Sequence, residues 1–460
     1  MKYVSTRNNR VEYTFNDVFL KGLADDGGLF VPTSIVKFSK NELSKLQQLS
    51  YEELALEIMY PYMDDFISKD ELKHIINKSY SNFRIRDVVK ITNFDKLKIL
   101  ELFHGPTLAF KDIAMQFIGS LYDYCLKKTK KNINIVVATS GDTGAAAIDA
   151  IKGKLNLNIF VLHPNNRISS VQRKLMTTVE HGNVFNLAID GNFDDCQNIV
   201  KKMFSDLDFS KSINMSGVNS INWARIIAQA VYYFYAYFKI DSDRPISFSV
   251  PTGNFGDVFA GYLAKKMGLP VDKLIVATNE NDILHRAISK GNYISRKVKE
   301  TISPSMDIQL ASNFERLIYY INNSDSKITE YIMNDIKKNI YNVSKSNLDI
   351  IQKDFLSESC NKKETLEIIK KNYLKHNLIL DPHTAVGVGA ANKLSIGDCV
   401  VLSTAHPCKF PEATNNAINK NEELPIELKP VLDKNENFQV LKNNTEDVKK
   451  FIINNIGISN

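Results

Sequence analysis

The fold is decided by one stretch of the sequence, Val136-Val137-Ala138-Thr139-Ser140-Gly141-Asp142-Thr143-Gly144-Ala145-Ala146-Ala147. A short apolar run leads into a turn of small hydroxylated residues and then into an alanine-rich segment, which predicts a strand, a turn and a helix. Six further short apolar runs, each beside a segment of helical period, lie at residues 96–103, 158–162, 184–189, 246–250, 273–277 and 399–403. Strands that alternate with helices predict an α/β fold with largely parallel sheets flanked by helices.

Changes in sequence pattern divide the chain into three parts. We predict an N-terminal, mainly helical domain over residues 1–95 and a catalytic region of two α/β lobes over residues 96–420. The Asn- and Lys-rich residues 421–460 are expected to form a C-terminal appendage at the surface. Residues 322–377 have helical spacing and no chemical motif, which indicates a solvated helical layer.

Composition and charge exclude several classes of function. The net charge is +6, but the lysines are spread among nearly as many carboxylates, so no basic stripe for a nucleic acid is expected. The five cysteines form no C-x-x-C pair, which argues against a metal site and a disulfide framework. Residues 1–10 are polar, and no run of about 18 apolar residues occurs. We therefore expect a cytoplasmic protein that binds neither membranes nor nucleic acids.

Ligands of parallel α/β sheets bind at the carboxyl ends of the strands, which points to the loops after Val137, Val250 and Leu402. In the first of these loops, hydroxyl groups and backbone N–H groups converge on a helix N-terminus. Such a place suits a carboxylate, because the first helical turn has unpaired N–H donors and a partial positive charge. Helix capping by Ser140 or Asp142 explains the same residues equally well.

One lysine stands out in the segment His104-Gly105-Pro106-Thr107-Leu108-Ala109-Phe110-Lys111-Asp112, between an apolar stretch and a helix. Desolvation beside Ala109 and Phe110 would lower the pKa of Lys111 and leave free amine to form a Schiff base with an aldehyde. The alternative is a solvated lysine at the start of a helix.

Three more segments carry polar groups that suit a ligand. In Thr252-Gly253-Asn254-Phe255-Gly256-Asp257 the glycines would let the backbone wrap a phosphate, although the sequence is not a P-loop. Thr404 directly follows a predicted strand and is either a ligand-facing hydroxyl or a structural residue. Asn219-Ser220-Ile221-Asn222-Trp223-Ala224-Arg225 could hold a second phosphate, or could simply cap a core helix.

These segments, in this order, resemble the threonine synthases, a family of fold type II pyridoxal-phosphate enzymes related to the tryptophan synthase β subunit. The resemblance covers most of the chain, and the long N-terminal region is similar to the microbial and fungal branch. Besides the segments above, it rests on residues 22–32 (GLADDGGLFVP), 192–197 (NFDDCQ), 303–308 (SPSMDI), 312–316 (SNFER), 381–385 (DPHTA) and 404–407 (TAHP).

The resemblance implies a role for each candidate residue. Lys111 would be the catalytic lysine that bonds to pyridoxal 5'-phosphate, and Thr404 would face the pyridine nitrogen. Asp142 stands where many relatives have an asparagine near the cofactor's 3-oxygen; either that contact is shifted or the acid is protonated. The cofactor phosphate would be held by Gly253, Asn254, Phe255, Gly256 and Asp257. The substrate carboxylate would be held by Ser140, Gly141 and Thr143, and the substrate phosphate by Asn219, Ser220, Asn222 and Arg225.

The implied activity is that of a carbon–oxygen lyase that converts O-phospho-L-homoserine and water into L-threonine and phosphate, the last step of threonine biosynthesis. The enzyme would act as a monomer or homodimer and would need no metal. Two rivals stay open. One is another fold type II enzyme, such as a phosphohomoserine lyase that releases a keto acid or a serine or threonine dehydratase. The other is a catalytically silent ligand-binding relative, against which the intact Lys111 segment argues.

Overall fold

Strands and helices alternate along most of the chain in a computed structural model, which describes residues 1–456. The strands are β1 (Tyr3–Ser5), β2 (Phe30–Pro32), β3 (Lys90–Phe94), β4 (Leu97–Glu101), β5 (Ile133–Ala138), β6 (Leu157–Pro164), β7 (Val184–Asp190), β8 (Met215–Ser216), β9 (Ile246–Pro251), β10 (Val271–Thr278), β11 (Phe355–Ser359), β12 (Cys399–Ser403) and β13 (Gln439–Lys442).

The helices are α1 (Phe15–Lys21), α2 (Lys40–Leu46), α3 (Tyr51–Met59), α4 (Lys69–Tyr80), α5 (Lys111–Thr129), α6 (Asp142–Ile151), α7 (Ser170–Thr177), α8 (Phe193–Ser205), α9 (Leu207–Ser212), α10 (Trp223–Ile240), α11 (Gly256–Lys266), α12 (Ile283–Lys290), α13 (Phe314–Ile321), α14 (Ser326–Lys337), α15 (Lys345–Asp354), α16 (Lys362–His376), α17 (Pro382–Leu394), α18 (Pro411–Ile418) and α19 (Thr445–Asn455). Short 3-10 turns lie at Tyr60–Tyr62, Pro304–Met306, Pro407–Lys409 and Ile426–Leu432.

The strands form two large sheets and one small sheet. The six-stranded sheet has the order β11-β10-β9-β12-β4-β3, and all its pairs are parallel except β3 with β4. The five-stranded sheet has the order β13-β7-β6-β5-β8 and is parallel throughout. The two-stranded sheet pairs β1 with β2. The predicted α/β fold with parallel sheets is therefore confirmed, and the seven predicted strands correspond to β4, β5, β6, β7, β9, β10 and β12.

Besides the unpredicted short strands β1, β2, β3 and β8, the structure differs from the predictions for residues 322–377 and for the tail. Residues 322–377 are not wholly a helical layer, because β11 pairs with β10 and buries Phe355. The Asn- and Lys-rich tail does more than lie on the surface: β13 adds an edge strand beside β7, and α19 buries Val448 and Ile452 against the same lobe. The domain boundaries at residues 95 and 420 stay a prediction.

The helices of the N-terminal region share one kind of start. The first four helices begin with a capping box, formed by Thr14 with Asp17, Ser39 with Glu42, Ser50 with Glu53 and Ser68 with Glu71. In each box the side chains satisfy backbone N–H groups at both residues. Helices α5, α6 and α11 instead begin without any side-chain cap. Part of their first N–H groups is bonded locally, because Gly144 N donates to Thr139 Oγ1, and Asp112 N and Ile113 N donate to the carbonyl oxygens of Ala109 and Phe110.

Three features of residues 1–456 concern membrane spans, cysteines and metal sites. No helix within residues 1–456 is long and apolar enough to cross a membrane. The five cysteines are buried and free. In the same part of the chain, no cluster of three His, Cys, Asp or Glu residues could hold a metal ion.

Helices α5 and α6 approach closely at Gly119. A Cβ atom at this position would lie 2.4 Å from the carbonyl oxygen of Ala150. This contact sets the spacing between the helices that begin at Lys111 and Asp142, so it fixes the relative position of those two side chains.

Gly119→Ala is therefore expected to lower the free energy of unfolding by about 1–3 kcal/mol, because the added methyl group overpacks the contact. In an open helix the same substitution would be stabilising by about 1 kcal/mol. Denaturant unfolding measures the change. Gly182→Ala is the matched control, because a Cβ at Gly182 meets no atom within 4 Å. A stabilised Gly119→Ala variant would contradict the close packing of α5 on α6.

Candidate active site

Three of the helices that follow strand ends in the α/β region begin without a side-chain cap and carry predicted site residues. Helix α6 follows β5, α11 follows β9, and α5 follows β4 after the lysine segment. The residues that precede these helices are Gly141, Phe255 and Phe110, and none caps its helix with a side chain. Each helix start offers N–H donors and a partial positive charge, which suits anionic ligand groups.

The lysine segment is held in place on two sides. On one side Thr107 donates to the Asp112 carboxylate from both its backbone N–H, at 2.8 Å, and its hydroxyl, at 2.5 Å. On the other side Phe110 N donates to the carbonyl oxygen of Thr404 at 2.9 Å, and a β-bridge joins Ala109 to Ala405. The predicted lysine segment and the predicted Thr404 segment therefore lie side by side.

Lys111 begins α5, and only 12% of its side-chain surface is exposed. Its Nζ lies 3.3 Å from Ser305 Oγ and 3.7 Å from Asp142 Oδ2. Burial lowers the pKa of Lys111 to about 8, and the charges of Lys409 and Arg225 act in the same direction against the opposing effect of Asp142. The sequence-based alternative of a solvated lysine is therefore wrong.

Asp142 has a second cationic partner, Lys409. Lys409 Nζ lies 2.5 Å from Asp142 Oδ1, and Gln172 Nε2 donates to the same oxygen at 2.8 Å. Burial acts to raise the pKa of Asp142, but the ammonium groups of Lys409 and Lys111 bring this pKa well below its usual value. The carboxylate is thus ionised, which favours a shifted contact with the cofactor over a protonated acid.

Ser305 connects three parts of the site. A Cβ atom at Gly253 would lie 2.5 Å from the carbonyl oxygen of Ser305, so the glycine loop and the Ser305 turn touch through their backbones. The backbone N–H of Ser305 donates to His383 Nε2 at 3.2 Å, and His383 Nδ1 lies 2.9 Å from Asp381 Oδ1. Because Nε2 accepts, Nδ1 carries the hydrogen and donates it to Asp381. Ser305 also contacts Lys111, so this network positions the lysine amine.

The glycine loop, residues 252–257, can offer its backbone to a ligand. Two of its side chains, those of Phe255 and Asp257, point into the core instead. Phe255 has φ +63° and is buried against Phe314 and Phe355. Asp257 accepts hydrogen bonds from the hydroxyls of Tyr232 and Tyr233, and burial raises its pKa to about 6. The predicted phosphate contacts of these two residues can therefore come only from their backbone N–H groups.

The residues predicted to hold the substrate phosphate are of two kinds: some have structural bonds and others have free donors. Asn222 caps α10 by accepting from Ala224 N, and its amide donates to the carbonyl oxygen of Phe19, so its side chain is occupied by structural bonds. The capping alternative is correct for Asn222. Asn219 is exposed and Ser220 is half-buried, and both lie in the turn before α10.

Arg225 differs from Asn222 in having unused donors. Its side chain is buried, its Nη1 donates to the carbonyl oxygen of Val218 at 3.2 Å, and its Nε has no acceptor among the described residues. No carboxylate within residues 1–456 pairs with it. Burial lowers the pKa of this guanidinium to about 10. A buried cation without a counter-ion is costly, which indicates that it serves a ligand.

The other residues predicted to contact the cofactor or the substrate adjoin Asp142 or the lysine segment. Gly141 has φ +134°, a conformation that favours glycine, and a Cβ there would lie 2.7 Å from Cδ of Gln172. Ser140 and Thr143 flank it and are half-buried. Thr404 is buried at the end of β12. Sequence reasoning thus identified residues that the fold brings to one place.

Four residues of the site were not singled out as site residues from the sequence: Lys409, Gln172, Asn313 and Ser305. Asn313 is fully buried, and its amide donates to the carbonyl oxygens of Ser220 and Asn254, so it joins the two phosphate candidates. Lys409 lies only five positions after Thr404. In the sequence, only its position between the apolar residues Cys408 and Phe410 indicates that this lysine is buried.

The residues present fit pyridoxal 5'-phosphate. Lys111 supplies a desolvated amine for the aldehyde, and the uncapped start of α11 supplies backbone donors for the phosphate. Thr404 supplies a buried hydroxyl directly after β12. Arg225 then remains as a cation for a second anionic group.

Comparisons with known proteins agree with this geometry. Residues 2–80 match the model of the threonine synthase N terminus, residues 93–331 that of the pyridoxal-phosphate dependent enzymes, and residues 384–452 that of the threonine synthase C-terminal region. The threonine synthase of Pseudomonas aeruginosa is 44% identical, with 98% of each chain covered. That of Saccharomyces cerevisiae is 45% identical, with 93% of this chain and 92% of the yeast chain covered.

A solved structure is also similar over nearly the whole chain. The crystal structure of threonine synthase from Brucella melitensis with bound pyridoxal phosphate has a TM-score of 0.95 and 44% identity, with 99% of each chain covered. The geometry of the Lys111 site, the three family models and these full-length similarities lead to one conclusion: the chain belongs to the threonine synthase family of pyridoxal-phosphate dependent enzymes.

Proposed function

We propose that this chain converts O-phospho-L-homoserine and water into L-threonine and phosphate, by γ-elimination of phosphate and addition of water at the β-carbon. The observation that carries the proposal is Arg225, a buried guanidinium without a carboxylate partner in the described residues, beside a lysine that suits an aldehyde cofactor. A dehydratase of serine or threonine needs no second phosphate site, so Arg225 favours the phosphorylated substrate.

The chain's own residues supply binding and proton transfer. Pyridoxal phosphate, which Lys111 would hold, would supply an electron sink for the substrate's amino group and so would acidify the protons at Cα and Cβ. Ser140, Gly141 and Thr143 at the start of α6 bind the substrate carboxylate and so orient the Cα–H bond. The free Lys111 amine takes up the proton at Cα and then the proton at Cβ, whose loss accompanies departure of the phosphate, and its ammonium form returns protons to Cγ and to Cα. Its lowered pKa keeps part of it in the basic form near neutral pH.

Arg225 assists the departure of the phosphate. The charge on the leaving oxygen grows as the Cγ–O bond breaks, and a fixed guanidinium in a buried site stabilises that charge without reorganisation. Asn219 and Ser220, in the turn before α10, complete the phosphate site. The side chain of Asn222 contributes indirectly, because it fixes the start of the helix that carries Arg225.

The proposal is tested by measuring all products together. The protein, with pyridoxal phosphate added, is incubated with O-phospho-L-homoserine, and L-threonine, 2-oxobutyrate and phosphate are quantified. We expect one threonine for each phosphate. Phosphate with 2-oxobutyrate would instead indicate a lyase, and no phosphate would indicate a dehydratase or a silent relative. Inorganic phosphate is expected to compete with the substrate.

The location and assembly of the protein belong to the same proposal. A cytoplasmic location is supported by five free cysteines and by the biosynthetic reaction. The protein is expected to be a monomer or a homodimer, which size-exclusion chromatography with light scattering would distinguish.

A further inference from the structure

Lys409 has no role in the contacts expected for the cofactor or the substrate, yet it is fully buried inside the site. It ends the 3-10 turn Pro407–Lys409, which follows β12 of the six-stranded sheet. Its Nζ contacts Asp142 Oδ1 at 2.5 Å and donates to the carbonyl oxygen of Thr107 at 2.9 Å. Burying an ammonium group is costly, so a specific compensating interaction is required. Asp142 supplies it.

The Asp142 carboxylate is divided between two lysines. Oδ1 is shared by Lys409 and Gln172, and Oδ2 faces Lys111 and Ser305. The contact with Lys409 is shorter, at 2.5 Å, than the contact with Lys111, at 3.7 Å. Lys409 is therefore the main counter-ion of Asp142, and Lys111 is the secondary one.

This division matters for the state of the Lys111 amine. In a buried pair of one lysine and one carboxylate, the opposite charge strongly favours the protonated lysine. An amine fixed as ammonium cannot add to an aldehyde. With Lys409 present, the charge of Asp142 is already balanced, so protonating Lys111 adds a net positive charge to a buried cluster.

We propose that Lys409 is a positioning residue: it neutralises Asp142, so that Asp142 orients Lys111 through their 3.7 Å contact without holding it as the ammonium. The inference rests on the proposed function, in which Lys111 bonds to the cofactor. The groups that face the Lys111 amine are Asp142, Lys409, Arg225 and the Ser305 hydroxyl. The lowered pKa of Lys111 agrees with this arrangement, since burial and the two neighbouring cations outweigh the single carboxylate.

The test follows cofactor attachment to the full chain. The protein is freed of cofactor and mixed with pyridoxal phosphate, and the rate of appearance of the lysine-linked visible band is measured against pH. Lys409→Met is expected to raise the midpoint of this rate profile by about one pH unit or more, because Asp142 then acts on Lys111 alone. Below the midpoint the attachment rate falls about tenfold for each unit of that shift.

A charge-matched double variant separates this effect from structural damage. Asp142→Asn alone leaves Lys409 uncompensated and is expected to lower the midpoint. Asp142→Asn combined with Lys409→Met removes both charges and is expected to return the midpoint close to that of the unaltered protein. If Lys409→Met fails to fold, the comparison of Asp142→Asn with the double variant still isolates Lys409. Lys393→Met, which removes a half-exposed ion pair with Glu364, is the control.

Two results would overturn the inference. One is a folded Lys409→Met variant with an unchanged midpoint, and the other is the same midpoint in Asp142→Asn and the double variant. Borohydride reduction followed by peptide mass spectrometry identifies the attached lysine. Attachment elsewhere than Lys111 in the unaltered protein would refute the proposed function itself, which is a separate outcome.

Discussion

Lys111→Ala is expected to abolish both turnover and the visible absorbance of the lysine-linked cofactor. The substitution removes the amine that bonds to the aldehyde, together with the base that moves the Cα proton. Loss of the base alone costs about 10²–10⁴-fold in rate. The absorbance spectrum of the purified protein and a phosphate-release assay measure the two effects.

The control for this variant lies on the same helix. Lys127 lies in α5 like Lys111, but 62% of its side chain is exposed and it pairs with Asp123 at the surface. Lys127→Ala should leave both the absorbance and kcat unchanged. Full retention of either property in Lys111→Ala would show that another group performs the role assigned to this lysine.

Arg225→Met is expected to separate activity from stability. We expect kcat/KM for O-phospho-L-homoserine to fall by about 10²-fold or more, because a fixed donor to the developing phosphate charge is lost. Competition by inorganic phosphate should weaken in parallel. Thermal stability should stay the same or rise, because the free protein no longer buries a cation that lacks a carboxylate partner.

A second buried arginine provides the matched comparison. Arg316 is fully buried as well, but its guanidinium donates to the carbonyl oxygens of Phe30 and Ile221 and to the side chain of Asn313. Arg316→Met leaves these acceptors unsatisfied and should lower the free energy of unfolding by about 2 kcal/mol or more. If Arg225→Met destabilises the protein as much as Arg316→Met does, Arg225 has a structural role and the assignment of the phosphate site is wrong.

Seven strands of the α/β region could be predicted from the sequence because most of their residues are buried and they read as short apolar runs. β6 illustrates this, since every residue from Leu157 to Pro164 is buried. β11 and β13 escaped prediction for the opposite reason. They are edge strands with exposed residues, and the surrounding Lys- and Asn-rich sequence hides their pattern.

The candidate site could be predicted only in part, for a different physical reason. Backbone-based features, such as glycine loops at helix starts, leave a local signature, and Gly141 and Gly253 were found in this way. The directions of the side chains depend on tertiary packing. Phe255 and Asp257 therefore face the core, while Lys409, five positions after Thr404, and Asn313, far from both phosphate candidates in the sequence, reach the site through tertiary packing.

The most direct test of the central claim is to run the reaction in water enriched in oxygen-18. Elimination breaks the Cγ–O bond, and water then adds at Cβ, so the hydroxyl oxygen of threonine must come from the solvent and the phosphate must keep its original oxygens. We therefore expect mass spectrometry to find one oxygen-18 atom in threonine and none in phosphate. Oxygen-18 in phosphate, with unlabelled homoserine as the other product, would mean hydrolysis of the phosphate ester and would contradict the account.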